Sequence, residues 1–190
     1  MTTGHILIGA LVITVLFLIM MYNRLVALRQ TRNNAFSDVD VQLKQRYSLV
    51  PQLVECVKGY AGHEKDVLEN VTAARARVGA AQGAGEARLK AEGLLGGALM
   101  GLLAIAENYP QLKADQNFRQ LMAELSDIEN KIAAARRFFN SATNEYNTSA
   151  QQFPANLVAG MFGFKPEPFF EIDSLERAVV DKAPEIKFGS

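Results

Sequence analysis

The first 23 residues, MTTGHILIGALVITVLFLIMMYN, contain no Asp, Glu, Lys or Arg. Ile6 to Met21 is almost wholly apolar, with Gly9 and Thr14 as mild exceptions. Built as a helix, Gly4 to Tyr22 spans about 28 Å, close to the hydrocarbon thickness of a bilayer. A cleaved signal peptide has positive charge before its apolar run and small residues at a cleavage site after it. Here the run follows Met-Thr-Thr and leads into bulky MMYNRLVALR. Residues 1–23 are therefore expected to be a retained transmembrane anchor, contacting the lipid bilayer through residues 4–22. Arg24, Arg29 and Arg32 come after the span, and nothing basic except the amino terminus precedes it. The excess of positive charge on the cytoplasmic side of membrane proteins then puts the N-terminus outside and the main domain in the cytoplasm. Tyr22 stands where an interfacial aromatic belongs.

No linker separates the anchor from the next segment. NRLVALRQTRNNAFSDVD has neither Gly nor Pro, and Leu25, Leu28, Phe36 and Val39 extend an apolar stripe. The stripe continues at Leu43, Tyr47, Val50, Val54, Val57 and Ala61, one face of a helix. Pro51 lies inside it, where it removes an amide and biases Val50 away from the α region. The register on both sides is intact, so the pattern predicts one long helix from about 5 to 61, bent at Pro51. Such a kink costs on the order of 3 kcal/mol in an isolated helix, which packing of the stripe must offset.

Three further helical patterns occupy the rest of the chain. Gly62 is a break, after which Val67, Leu68, Val71, Ala74 and Val78 share a face. GAAQGAGEA, residues 79–87, reads as a loop. Gly93 to Ala106 is charge-free but only fourteen residues long with four glycines, so a core helix is expected rather than a second span. Pro110 is expected to end it. From Phe118, the positions Leu121, Leu125, Ile128, Ile132, Ala135, Phe139, Ala142, Tyr146, Ser149 and Phe153 follow alternating steps of three and four. That pattern predicts about 54 Å of helix, with Asp115 as N-cap and Pro154 as stop. Asn140, Asn144 and Asn147 run beside this stripe as register-setting hydrogen-bonding residues in a seam, or as the wall of a polar groove.

The expected fold is all-α: an N-terminal transmembrane helix (1–23) followed by an antiparallel four-helix bundle with long helices (24–153). Residues 154–190 form a Phe/Pro-rich tail. Residues 153 to 188 hold Phe153, Phe162, Phe164, Phe169, Phe170 and Phe188, and Pro154, Pro166, Pro168 and Pro184 prevent a single helix. Each buried Phe contributes about 1.5–3 kcal/mol, so the tail is expected to pack on its own bundle or on a neighbouring subunit. From Lys165 onward acidic residues outnumber basic ones, which disfavours an anionic lipid surface.

Chemistry is scarce. Lys plus Arg equals Asp plus Glu at 20 each, which argues against nucleic acid as a main partner. The single cysteine, Cys56, reads as a small buried apolar residue. The histidines are His5 and His63. His63 is seven residues, or roughly 10 Å of helix, from Cys56, too far to act as its base. His63-Glu64 lacks the second histidine of the zinc motif, no Glu-x-x-His occurs, and Asp38 and Asp40 point to different helix faces. GAAQGAGEA lacks the GK[ST] ending of a phosphate loop. No catalytic, cofactor-binding or metal-ligating residue is assigned, and no enzyme activity is expected.

With these segments in place, the chain resembles the LemA family. The resemblance is carried by YNRLVALR, by NAFSDVDVQLKQRYSLVPQLVECVKGYAGHE and by ENYPQLKADQNFRQLMAELSDIENKIAAARRFFNSATNEYN. QQFPANLVAGMFGF and the ending KAPEIKF complete it. It implies a bacterial inner-membrane protein with one N-terminal anchor and a four-helix bundle, and it implies no reaction. A related branch is associated with magnetosome membranes; nothing in these residues places the chain in that branch. The expected role is a membrane-anchored scaffold or adaptor that assembles through its helices, as a homo-oligomer. The alternative is an accessory or regulatory subunit, a sensor, for a membrane protease or other membrane-protein partner.

Overall fold

The structure is a computed structural model that describes residues 2–81 and 86–170. Most of the glycine-rich loop read at 79–87, and the tail from 171 onward with Pro184 and Phe188, lie outside the described residues. Every element among the described residues is a helix: α1 (Thr2–Tyr60), α2 (Lys65–Ala80), α3 (Glu86–Ala106), α4 (Pro110–Ala114), α5 (Gln116–Gln151) and α6 (Ala155–Phe162). No strand occurs among the described residues.

α1 starts with the apolar segment and continues for 59 residues, with Pro51 inside it. The helix survives the lost amide because Leu49, Val50, Leu53 and Val57 around the proline are all buried. Its end is marked by Gly62, at the start of the turn to α2. α5 starts where the sequence places an acceptor. The Asp115 carboxylate accepts the Phe118 amide at 2.9 Å, one of the orphan donors of the first turn. It ends at Gln151, and Phe153, the last member of its stripe, is 80% exposed beyond it. Pro110 does not simply terminate α3: it occupies the first turn of α4, where its missing amide has no helical partner to lose.

Packing divides the chain into two units, and α1 and α5 contribute to both. The first comprises residues 2–41 and 131–169. Leu25 of α1, Ala150 of α5, and Val158 and Ala159 of α6 form one buried cluster, with Met21 and Phe164 against it. Phe36 and Phe139 meet edge to face at 5.7 Å.

The second unit comprises the described residues of 42–130, with Phe170. Its core includes Val71, Ala74 and Val78 of α2 and Leu95, Leu99, Leu102 and Ala106 of α3. The buried register of α1 differs from the apolar stripe of the sequence. In this unit the buried positions of α1 include Leu43, Arg46, Leu49, Val50, Leu53 and Val57, whereas Tyr47 and Val54 are half-buried. A stripe built only from apolar residues steps over Arg46 and takes its neighbour. Tyr47 turns toward α2 instead, where the Arg75 guanidinium stacks 4.0 Å from its ring centre and Arg75 Nε donates to its carbonyl at 3.1 Å.

Candidate functional site

The most unusual chemistry lies inside the second unit. Arg46 of α1 is 4% exposed and Glu92 of α3 is 3% exposed. Arg46 Nη2 donates to Glu92 Oε2 at 2.6 Å and to the Glu92 carbonyl at 3.1 Å. Arg46 Nη1 donates to Glu129 Oε1 of α5 at 3.0 Å. The other Glu92 oxygen accepts from Arg88 Nε at 2.7 Å, and Arg88 also caps the Ala81 carbonyl. Three helices thus converge on two guanidinium groups and two carboxylates of balanced charge. A buried charge costs several kcal/mol unless paired and hydrogen-bonded, so each member holds the others in place. The arrangement has no open coordination position and no nucleophile; it fixes helix register.

A second polar cluster closes the far end of α1. Asp115 accepts the Phe118 amide on Oδ1 and the Tyr60 hydroxyl on Oδ2 at 2.9 Å, and the Cys56 thiol lies 3.9 Å from Oδ1. The Phe118 amide, followed by the Tyr60 hydroxyl, holds the Asp115 carboxyl below its ordinary range. Burial, then the charge of Asp115 and the hydrogen bond to it, push the Cys56 thiol up. The thiol is thus kept protonated, which is the reverse of what a nucleophile needs. His63 is exposed in the turn after α1. The Tyr109 hydroxyl donates to Glu64 at 3.1 Å and ties α4 to the start of α2.

In the first unit the segment after α6 is clasped to α5 and α1. The Asn147 side chain donates to the Glu167 carbonyl at 2.9 Å and accepts the Glu167 amide at 2.8 Å. The Tyr146 hydroxyl donates to the Lys165 carbonyl at 3.0 Å. Arg32 pairs with Glu167 at 3.4 Å, donates to the Pro168 carbonyl, and lies 4.9 Å from the Phe139 ring centre. Of the three asparagines flanking the α5 stripe, Asn147 is buried in this contact, Asn140 is half-buried and Asn144 is exposed.

Sequence periodicity missed Arg46 and Glu92, and it marked Arg32 only as a topology signal. One clue was available: Arg46 falls on the three-and-four rhythm between Leu43 and Val50. Glu92, just ahead of the charge-free run of α3, carried no comparable mark. Among the described residues no group of three or more His, Cys, Asp or Glu side chains could hold a metal ion. Two described helices, α1 near the N-terminus and α3, are long and apolar enough to cross a membrane by length and composition. The apolar stretch of α1 has no buried residue, while a third of that of α3 is buried inside the protein.

Known proteins resemble this chain in sequence. The chain is 27% identical over 186 residues to the magnetosome protein MamQ of Magnetospirillum gryphiswaldense, covering 85% of this chain and 68% of that protein. It is 26% identical over 179 residues to magnetosome protein MamQ 2 of Paramagnetospirillum magneticum, covering 81% of this chain. The chain spans 66% of the length of that relative. Protein LemA of Metamycoplasma hominis is 24% identical over 148 residues, with 78% of this chain and 68% of that protein covered. The model of the LemA family matches residues 35–188, so this chain belongs to the LemA family.

Proposed function

We propose that this protein is a single-pass, membrane-anchored scaffold or adaptor of a bacterial inner membrane, acting through protein–protein assembly rather than catalysis. The observation that carries the reading is the first third of α1. Its apolar side chains from Ile6 to Met20 are exposed, and the helix runs on unbroken into packed structure. An apolar surface of that size needs lipid around it. Residues 1–23 are the anchor, 24–153 an antiparallel bundle and 154–190 the tail. The bundle reading is supported by the order of partners along α1 and α5. Within one unit Leu25 clusters with Ala150 while Phe36 meets Phe139; within the other Arg46 pairs with Glu129 while Tyr60 bonds Asp115. The N-terminus is outside and the main domain cytoplasmic, on the strength of the arginines after the span. Arg24 and Arg29 are exposed, whereas Arg32 is engaged with Glu167.

Mild detergent extraction followed by light scattering tests the assembly. A homo-oligomer free of other proteins is the expected result. A stoichiometric co-purifying membrane protein would instead favour an accessory or regulatory subunit, such as a sensor for a protease. A monomer without partners would count against both. Topology is read with a cysteine at Ser190 in a Cys56→Ala background. Strong labelling of intact cells by an impermeant maleimide would reverse the orientation.

A further inference from the structure

We propose that α6 is a second membrane contact, its outer face set in the interfacial layer of the leaflet through which α1 leaves the bilayer. The proposal rests on residues 4–22 being a span. α6 is fixed to the end of that span by its own packing. Val158 and Ala159 are buried against Leu25, with Met21 beside them. The Phe162 ring lies 4.9 Å from the Tyr22 ring, edge to face, and Phe164 lies 5.6 Å from it.

Depth is set by these contacts. Leu25 is three residues beyond Tyr22, about 4.5 Å along the helix. The headgroup layer outside the hydrocarbon is on the order of 5–7 Å thick on each side. A helix about 10 Å wide that touches Met21, Tyr22 and Leu25 cannot stand clear of that layer.

The surface of α6 suits the location. From Phe153 to Phe164 there is no charged residue. Leu157, Gly160 and Met161 share one helix face, and Met161 is 77% exposed. Phe153 and Phe162 are also exposed. Contiguous apolar surface of this kind is rare where water is the neighbour. Arg24 before α6's docking site and Lys165 after α6 are exposed, at the level where lipid phosphates accept positive charge. The clasp of Asn147 and Tyr146 on the next segment holds α6 at this depth. A short helix inserted by its own affinity would be weakly bound; one tethered to a span needs only to stay where it is placed.

The chain has no tryptophan, so single-tryptophan reporters are unambiguous. Full-length Leu157→Trp, Met161→Trp, Phe17→Trp and Val41→Trp are reconstituted in phosphatidylcholine vesicles with and without brominated phosphatidylcholine, and helicity is checked by circular dichroism. Brominated lipid is expected to quench Leu157→Trp and Met161→Trp as it quenches Phe17→Trp in the span. It should leave Val41→Trp, about 28 Å along α1 from Tyr22, unquenched. Quenching at Phe17→Trp but not at either α6 position overturns the α6 proposal and leaves the anchor standing; a second copy covering α6 gives this result. No quenching at Phe17→Trp removes the span and the proposal with it. Equal quenching at Val41→Trp overturns it too, because contact would not be confined to the depth of α6.

Discussion

Arg46 on α1 and Glu92 on α3 form a 2.6 Å ion pair with 5% and 3% of their side chains exposed. Each gives the other a buried partner of opposite charge, and Glu129 and Arg88 complete the network. Removing one partner leaves a buried charge, which costs about 3–5 kcal/mol, whereas replacing both with apolar residues of similar volume is often neutral or stabilising. Arg46→Met and Glu92→Leu are each expected to destabilise on that scale, and the double variant to cost less than the sum of the two, although Arg88 and Glu129 then lose these partners. Urea unfolding of the detergent-solubilised chain measures it. A double variant as unstable as the sum of the singles would show that the pair is not the coupled unit described.

Asp115 makes stability depend on acid. Its carboxyl is held below the ordinary aspartate range by the Phe118 amide and the Tyr60 hydroxyl. A group with a lowered folded pKa stabilises the fold above its unfolded pKa, and that contribution is lost as pH falls through the folded value. The melting temperature is expected to fall below about pH 4 in part through this residue. Asp115→Asn keeps a cap but cannot ionise, so it should flatten that slope, while Asp115→Ala should also lower stability at neutral pH. An unchanged acid slope in Asp115→Asn would remove Asp115 from the account.

The clasp on Glu167 separates two asparagines that look alike in sequence. Asn147→Ala removes two part-buried hydrogen bonds to the Glu167 backbone, at a cost of about 1–3 kcal/mol. Limited proteolysis should then cut after α6 sooner than in the parent chain. Asn144→Ala, at an exposed position, should change neither property. Deleting residues 165–190 should reproduce the Asn147→Ala loss and lower stability in a monomer. A fall in oligomer size with stability intact would assign the tail to assembly instead.

Pro51→Ala restores an amide within a helix that already continues through the site. Thermal stability should change by no more than about 1–2 kcal/mol. Loss of folding would mean that the packing on the two sides of this position requires the proline.

Local rules reach far in this chain because long helices repeat one decision many times. The absence of charge before Arg24 determines that the start of α1 is apolar all round. The three-and-four rhythm from Phe118 determines α5, and Asp115 marks its first turn because an acceptor there meets orphan amides wherever the rest of the chain goes. What those rules could not decide was the destination of polar groups. Arg46 occupies a core position that its charge alone would forbid, and it is tolerated only because Glu92, 46 residues away, and Glu129, 83 residues away, arrive from other helices. Asn147 differs from Asn144 only in what lies across from it. Arg32 reads as a topology signal beside Arg24 and Arg29 until Glu167 and Pro168 come back to meet it. The free energy of burying a polar side chain is a property of its partners, and partners distant in sequence are brought together only by tertiary packing.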